Sequence, residues 1–265
     1  MATDLPAMTP TNPVVFLVDV DDTLLENDRI QNDLKRHIER EFGPECRDRF
    51  WTIQEELFNE LGYRDYLGAL QRFRVEYPYE PHLVTAANYL VDYPFANRLY
   101  PGALDVLEKL RTWGRTVILT DGDVVFQPRK VERSGIFETV EGHVLIYVHK
   151  EEALADVERR YPADHYVMVD DKLRILAALK KAWGDRVTTV FARQGKFAHD
   201  PRTWATCPPP DLTVNRIDEL LDVELAVLLR AGRTTGADMP EITDWKWGGH
   251  AKAARGARST EADNV

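Results

Sequence analysis

The chain has 265 residues, a formal net charge of -10 and a sequence pI near 5.3, which excludes a surface built for nucleic acids or anionic membranes. Hydrophobic residues make up 44% of the chain, enough for a globular core, and no apolar run approaches the roughly 20 residues of a membrane span. The two cysteines, Cys46 and Cys207, lack metal-ligand spacing, and the first residues lack a signal-peptide pattern. We therefore expect a cytoplasmic protein, a monomer or a homodimer, without nucleic-acid or membrane partners.

Residues 1–12 are rich in Pro, Thr and Asn and predict a flexible lead-in. The apolar run that follows, residues 14–18, is typical of a strand buried on both faces of a parallel sheet. Asp19, Asp21 and Asp22 come directly after it, at the end of the strand where such sheets bind ligands. Buried carboxylates without partners are destabilising, so this excess indicates a divalent cation or a reaction; an Asp-rich turn is the alternative.

Residues 26–97 change to a helical pattern, with apolar side chains three or four positions apart. Leu34, Ile38 and Phe42 form one such stripe, and similar stripes continue to Phe73. A fourth helix is expected over 82–91, followed by prolines that punctuate the end of the segment. We predict an all-helical domain inserted after the first strand.

From residue 98 onwards strands and helices alternate, which predicts a parallel sheet covered on both sides. Strands are expected at 116–119, 139–140, 144–148, 166–169 and 187–191, and helices at 102–113, 151–160, 172–183 and, as one final helix, 217–229. The predicted fold class is α/β, a Rossmann-like three-layer core with a central parallel sheet, built from residues 13–25 and 98–231 around the helical insertion. Residues 232–265 are expected to form a flexible tail.

Side chains of catalytic type follow three of the predicted strands or open the helix between them. In chain order they are Asp19, Asp21, Thr120, Lys150, Asp170 and Asp171. Because the carboxyl ends of parallel strands share one edge of the sheet, these residues are expected to converge.

The ordered set Asp19-x-Asp21-x-Thr23, Thr120, Lys150 and the acidic pair resembles the four motifs of the haloacid dehalogenase superfamily. The resemblance covers roughly residues 14–230, and the helical insertion is similar to that superfamily's C1 cap over the active site. It implies a hydrolase of the phosphatase-like branch, because the dehalogenases of the superfamily lack an acid at the position of Asp21. The expected substrate is a small phosphorylated metabolite.

The resemblance also implies roles for single residues. Asp19 would attack phosphorus and form an aspartyl-phosphate, and Asp21 would protonate the leaving oxygen and then activate the water. Thr120 would bind a phosphoryl oxygen, and Lys150 would neutralise charge on the nucleophile and the phosphate. Asp121 and Gly122, directly after Thr120, complete the expected phosphate-binding segment.

The resemblance further implies Mg²⁺ as the cofactor, bound by Asp171, the Asp19 carboxylate and the backbone carbonyl of Asp21, with Asp170 as a further ligand or as a partner of a metal-bound water. Oxygen ligands without His or Cys nearby favour Mg²⁺ over Zn²⁺. Four ionised acids facing one Mg²⁺ and Lys150 would leave a net negative site. It would repel a phosphate by about 4 kcal/mol per charge pair at about 4 Å and an effective dielectric constant of about 20. A protonated Asp21 would relieve that repulsion.

Several residues have two interpretations. Lys130 competes with Lys150 for the lysine role, but its neighbours Arg129 and Arg133 indicate a solvated helix face. Asp121 and Asp123 would bind a substrate hydroxyl or amine, or cap the next helix, and the cap is favoured for them. In the insertion, Arg64 or Arg72 would bind a second anionic group of the substrate, or both would be exposed at a helix junction.

Other function classes remain open at this stage. A phosphomutase would share the nucleophile but protect the aspartyl-phosphate from water. A regulatory protein of the same fold would bind phosphate or metal without turnover. A response-regulator receiver domain is disfavoured, because the nucleophile follows the first strand and a long insertion comes after it.

Overall fold

The computed structural model describes residues 14–199 and 205–232, and within them six parallel strands form one sheet in the order β3-β2-β1-β4-β5-β6. The strands are β1 (Val14–Val18), β2 (Arg115–Asp121), β3 (Val144–Tyr147), β4 (His165–Asp170), β5 (Val187–Ala192) and β6 (Leu212–Val214). The strand order reverses between β1 and β4, so the crevice that parallel sheets use for ligands opens beside Asp19. The predicted α/β class with a central parallel sheet is confirmed.

A helical insertion follows β1. It contains α1 (Asn27–Phe42), α2 (Pro44–Leu61), α3 (Tyr66–Glu76) and α4 (Leu83–Asp92). The stripes read from the sequence are the buried faces of these helices, since Leu34, Ile38 and Phe73 all lie in one apolar cluster. Phe126 of the core joins that cluster through its ring contacts with Tyr66 and with Phe95, so aromatic packing seats the insertion on the core.

Helices cover both faces of the sheet. They are α5 (Ala103–Trp113), α6 (Phe126–Arg133), α7 (Ile136–Thr139), α8 (Leu154–Arg160), α9 (Leu173–Trp183), α10 (Gly195–Ala198) and α11 (Leu225–Ala231). Because successive strand residues point to opposite faces, Phe16 and Val18 lie in one apolar cluster, and Val15 and Leu17 lie in the other. All five residues of β1 are buried, as the apolar run predicts.

Three details of the predicted core are wrong. Residues 136–139 form α7 rather than leading into a strand at 139–140, and the chain then turns through Glu141 and Gly142, both with positive φ. The expected helix over 217–229 is a 3-10 turn, Ile217–Asp222, followed by α11; Lys109 binds the carbonyls of Leu221 and Val223 at the break. The short strand β6 was not predicted. Residues 1–12 and 233–265 lie outside the described residues.

Across the described residues, no helix combines the length and apolar character of a membrane span.

Candidate active site

Asp19 extends β1 by donating its amide to the carbonyl of Val169, and its carboxylate is buried at the carboxyl edge of the sheet. The Nζ of Lys150 lies 2.6 Å from Asp19 Oδ1 and 2.6 Å from Asp170 Oδ2, and it also donates to the carbonyl of Leu119. Burial alone would raise the pKa of Asp19, but the charges of Lys150 and Lys172 hold it below its usual value. The candidate nucleophile is therefore ionised and held by one oxygen.

Asp170 ends β4, Asp171 follows it, and both are completely buried. Burial raises the pKa of Asp171 well above its usual range, and it raises the pKa of Asp170 in spite of the Lys150 charge. One carboxylate oxygen from each of Asp19, Asp170 and Asp171 lies within 4.8 Å of the others. Asp19 Oδ2 and both Asp171 oxygens have no hydrogen-bond partner among the described residues. Hard oxygen donors clustered and left unpaired in this way fit a divalent cation.

Lys172 is a residue of this site that sequence reasoning missed. It follows the acidic pair directly, where it was read only as the start of α9. Burial lowers its pKa, but the charges of Asp171, Asp19 and Asp170 together raise it above the usual lysine value. The signal in the sequence was the adjacency itself, because a lysine after two strand-end acids shares their edge of the sheet.

Lys130 does not lie on a solvated face, and that interpretation is wrong. The side chain is 1% exposed, and its Nζ lies 2.5 Å from Asp21 Oδ1 and 3.2 Å from Asn27 Oδ1. Arg129 and Arg133 of the same helix reach outwards and pair with Asp92 of the insertion. Helix α6 therefore directs Lys130 inwards and the two arginines outwards. The sequence shows only three basic residues close together and does not reveal this difference.

The three lysines change the charge count on which the protonation of Asp21 was argued. That argument set one lysine against the four aspartates at positions 19, 21, 170 and 171. In the structure Lys130, Lys150 and Lys172 all lie among them. Three lysines thus offset charge that the sequence assigned to Lys150 alone, while Asp22, Asp121 and Asp123 add carboxyl groups to the wall of the same cavity.

The end of β2 and the residue after it hold the remaining site residues predicted in the core. Thr120 is buried and its Oγ1 accepts a hydrogen bond from Gln127 Nε2 at 3.0 Å. Asp121 Oδ1 accepts the amide of Lys150 at 2.7 Å, so this carboxylate positions the lysine, and the cap of the next helix that was favoured for Asp121 is wrong. Burial raises the pKa of Asp121 although Lys150 opposes the shift. The amide of Gly122 donates to the carbonyl of Tyr147 and is not free for a ligand.

The two aspartates without an assigned role both hold backbone amides. Asp123 Oδ1 accepts the amides of Val125 and Phe126, so it holds the start of α6 as favoured, although the N-cap position itself is Val125. Asp22 has a φ of 59° and accepts the amide of Asp28 at 3.1 Å. Burial, reinforced by the charges of Asp28 and Asp21, raises the pKa of Asp22 to about 7.

A cavity of about 700 Å³ lies between the core and the insertion. The core supplies Asp21, Asp22, Lys130 and Lys172, and the insertion supplies an aromatic and basic wall that includes Phe58, Tyr63, Arg64 and Tyr66. Arg72 is not part of this wall, because it pairs with Glu60 at the surface.

The insertion also touches the loop that carries Lys150. Gly62, with a φ of 81°, packs so closely on the His149 ring that an added Cβ would lie 2.7 Å from His149 Cε1.

A family model described as haloacid dehalogenase-like hydrolase matches residues 14–182. The chain belongs to this family. A solved haloacid dehalogenase-like hydrolase of Burkholderia xenovorans LB400 is 57% identical, with a TM-score of 0.78 over 82% of this chain and 99% of the other. Among curated proteins, no match to the chain was found.

Two more distant structures share the fold only. YfnB of Bacillus subtilis, a HAD-hydrolase solved with bound magnesium, is 17% identical, with a TM-score of 0.54 over 80% of this chain and 98% of the other. L-2-haloacid dehalogenase of Xanthobacter autotrophicus is also 17% identical, with a TM-score of 0.50 over 78% of this chain and 96% of the other. The fold is thus similar both to a magnesium-bound hydrolase and to a dehalogenase, and the choice between reactions depends on the residues of this chain.

Proposed function

We propose that the protein is a Mg²⁺-dependent phosphohydrolase that acts on small phosphorylated metabolites through an aspartyl-phosphate at Asp19. The observation that carries the proposal is Asp21, a carboxylate two residues after the nucleophile that lines the cavity and is paired with a buried lysine. An alkoxide leaving from phosphorus needs a proton, whereas a halide does not. A placed acid therefore favours cleavage of a phosphate ester over cleavage of a carbon–halogen bond.

The proposed nucleophile is prepared by Lys150. The ammonium group holds Asp19 Oδ1 and keeps the carboxylate ionised, while Oδ2, which is buried and has no hydrogen-bond partner in the described part of the chain, would be the attacking oxygen. Asp121 fixes the backbone of Lys150, and Asp170 shares its charge. Thr120, with Gln127 already bonded to its Oγ1, would donate the hydroxyl proton to a phosphoryl oxygen.

Lys130 supports the proton transfer proposed for Asp21. Asp21 would first take a proton from solvent. When it gives that proton to the leaving oxygen, it becomes an anion 2.5 Å from the Lys130 ammonium. A charge-assisted hydrogen bond of this kind stabilises the ionised acid and so favours the transfer. The same ionised carboxylate would then accept a proton from the water that hydrolyses the intermediate.

The cation fits the cluster of Asp19, Asp170 and Asp171, and the backbone carbonyl of Asp21 would be a further ligand. When bound, Mg²⁺ would neutralise charge on the nucleophile and on the transferred phosphoryl group. The oxygen-only ligand set favours Mg²⁺ over Zn²⁺. Asp171 would bind the cation with a carboxylate that has no other role, because its two oxygens have no hydrogen-bond partner among the described residues.

The helical insertion would act as a C1-type cap. It closes one side of the cavity, and its contact with His149 lies next to Lys150. A closed cavity excludes bulk water and large polymers, which supports a small substrate. We propose the same domain limits as the sequence indicates, residues 26–97 for the cap and residues 13–25 and 98–231 for the core. We also propose that the protein is cytoplasmic.

The proposal is tested by phosphate release from a panel of phosphorylated metabolites, with Mg²⁺ and with EDTA, for the wild type and for Asp19→Asn. We expect release by the wild type that depends on Mg²⁺ and is abolished by Asp19→Asn. Isomerised sugar phosphate without net release would indicate a phosphomutase. Absence of any release or isomerisation, with Mg²⁺ binding intact, would contradict an enzymatic role.

A further inference from the structure

Two buried hydrogen-bond donors, on residues that line the cavity, have no partner among the described residues. They are the hydroxyl of Tyr66, whose side chain is almost fully buried, and Nη1 of Arg64. Both residues line the cavity from the insertion side. Leaving a buried donor unpaired costs about 1–3 kcal/mol, so two of them two positions apart in the chain indicate a ligand that completes their bonding.

Neighbouring contacts hold the two donors in place. Arg64 donates from Nη2 to Glu55 at 2.8 Å, and its guanidinium carbon lies 5.3 Å from the centre of the Phe58 ring. The Tyr66 ring opens α3 and packs 4.9 Å from the ring of Phe126. Because these contacts already fix both side chains, little conformational entropy would be lost on binding a ligand.

The Tyr66 hydroxyl lies within electrostatic range of both Arg64 and the proposed acid. The pKa of Tyr66 is raised, and burial is the largest cause. The charge of Arg64 opposes the shift, whereas the charges of Asp21 and Asp22 add to it. The phenol therefore stays protonated and remains a donor. A group that accepts bonds from Tyr66 and Arg64 would be bound together with a phosphate beside Asp21.

We propose that Arg64 and Tyr66 form a carboxylate subsite, and that the substrate is a phosphomonoester whose alcohol carries a carboxylate group. The inference rests on the proposed phosphohydrolase. Two donors on two side chains match the two oxygens of a carboxylate. A second phosphate fits less well, because the charge of Arg64 is shared with Glu55 and the cavity is also lined by Asp121 and Asp123.

The test compares pairs of esters that differ by a carboxylate. The pairs are phosphoglycolate with ethyl phosphate, phosphoserine with phosphoethanolamine, and the 6-phosphates of gluconate and glucitol. With Mg²⁺ present, we expect kcat/KM to favour the carboxylate member of at least one pair by about tenfold or more, the size of a charge-assisted hydrogen bond. That preference should nearly vanish in Arg64→Gln and fall severalfold in Tyr66→Phe, which removes only the hydroxyl.

Arg72→Gln is the matched control, since it removes a guanidinium of the same insertion that pairs with Glu60 outside the cavity. It should keep the preference of the wild type. An equal loss on both members of every pair in Tyr66→Phe, or no preference in any pair, would overturn the subsite.

A binding measurement separates the subsite from the reaction. Calorimetric titration of Asp19→Asn with the same pairs, with Mg²⁺ present, does not require turnover. Tighter binding of a carboxylate member that is lost in the Asp19→Asn/Arg64→Gln double variant would support the subsite even if no ester is hydrolysed. Hydrolysis without any preference would leave the phosphohydrolase standing and refute the subsite. Equal or undetectable binding of the two members in all pairs would also refute the subsite.

Discussion

The site contains two lysine–aspartate pairs that have the same chemistry and different surroundings. Lys150 and Asp19 are both buried, and the lysine is also held by Asp170 and the Leu119 carbonyl. Lys130 is as buried as Lys150, but its partner Asp21 is 22% exposed and lines the cavity, and Asn27 of the insertion shares the ammonium group. The first pair is fixed entirely by the core, whereas the second is open to a ligand and touches the insertion.

This difference matches the proposed chemistry. A nucleophile must stay ionised and aligned throughout a turnover, which a closed network of core groups provides. An acid that gives and takes a proton must contact the leaving group and the water, so it has to face the cavity. The two pairs can be separated experimentally, because changes to the first should remove both activity and stability and changes to the second mainly activity.

The largest effect is expected from Lys150→Met. Removing the ammonium leaves Asp19 and Asp170 buried together with only the charge of Lys172 to offset them, so the free energy of unfolding should fall by about 3–5 kcal/mol. The rate of phosphate release should fall by about a thousandfold or more, because charge on the nucleophile and phosphate is no longer neutralised. Urea unfolding and steady-state kinetics measure the two effects.

Lys180→Met provides the control for that variant. Lys180 is also a buried lysine, paired with Asp211 at 2.9 Å, but it lies away from the carboxyl edge of the sheet and bonds the carbonyls of Val187 and Gly232. The Lys180→Met variant should be less stable than the wild type, and it should keep the wild-type kcat at temperatures where it stays folded. Equal losses of kcat in the two variants would show that Lys150 acts only through stability.

Asp22 extends the comparison to an acid for which the described residues provide no ion-pair partner. Its pKa is raised to about 7 in the folded protein, so between about pH 4 and pH 7 the folded state keeps a proton that the unfolded chain has lost. The free energy of unfolding should therefore decrease as the pH rises through that window. The shift corresponds to at most about 4 kcal/mol.

Asp22→Asn should remove this contribution while keeping an oxygen that can accept the Asp28 amide. Chemical denaturation of both proteins in EDTA at several pH values should show the variant as the more stable one at pH 8, with the difference shrinking towards pH 4. A variant that is destabilised equally at all pH values would contradict a protonated Asp22.

Lys130→Met tests the cavity-facing pair. Because Asp21 is partly exposed, we expect a stability loss of only about 1–2 kcal/mol, well below that of the Lys150 variant. Phosphate release should fall about ten- to a hundredfold, since the ionised acid loses its charge-assisted bond. Arg129→Met, one position earlier and facing outwards, should leave kcat unchanged. Wild-type kcat in Lys130→Met would refute the proposed support of proton transfer.

The smallest effect is expected from Asp123→Ala, which removes a cap and no charge pair. Its carboxylate holds two amides at the start of the helix that carries Lys130. Loss of such a cap costs about 1 kcal/mol of stability. Thermal unfolding should detect this loss, and kcat should change less than in Lys130→Met. A larger kcat loss than in Lys130→Met would assign Asp123 to the substrate instead.

The sequence predicted the sheet and the insertion because both depend on local periodicity. The buried run of residues 14–18 and the stripes of α1 to α3 each carry their own apolar pattern. The break in the last helix was not predictable in this way, since Lys109 makes it from a distant helix. The three residues of β6 are too few to show a pattern.

The site was predictable where a residue follows a strand and not where a helix rotates a residue inwards. Asp19, Thr120 and Asp171 stand at strand ends, so the parallel sheet brings them to one edge. Whether Lys130 faces solvent or Asp21 depends on the packing of α6 under the insertion, and the sequence does not fix that rotation. The unpaired hydroxyl of Tyr66 was equally hidden, because an aromatic residue in a helical stripe is typical of a core.

The central claim is that the acid at Asp21 commits this site to phosphate esters rather than to carbon–halogen bonds. The most direct measurement incubates the wild type and Asp21→Asn with the phosphate-ester panel and with chloropropionic acid, and quantifies phosphate and chloride release. We predict phosphate release by the wild type, a loss of at least a hundredfold in Asp21→Asn, and no chloride from either protein. Chloride release that persists in Asp21→Asn, without phosphate release by the wild type, would contradict the account.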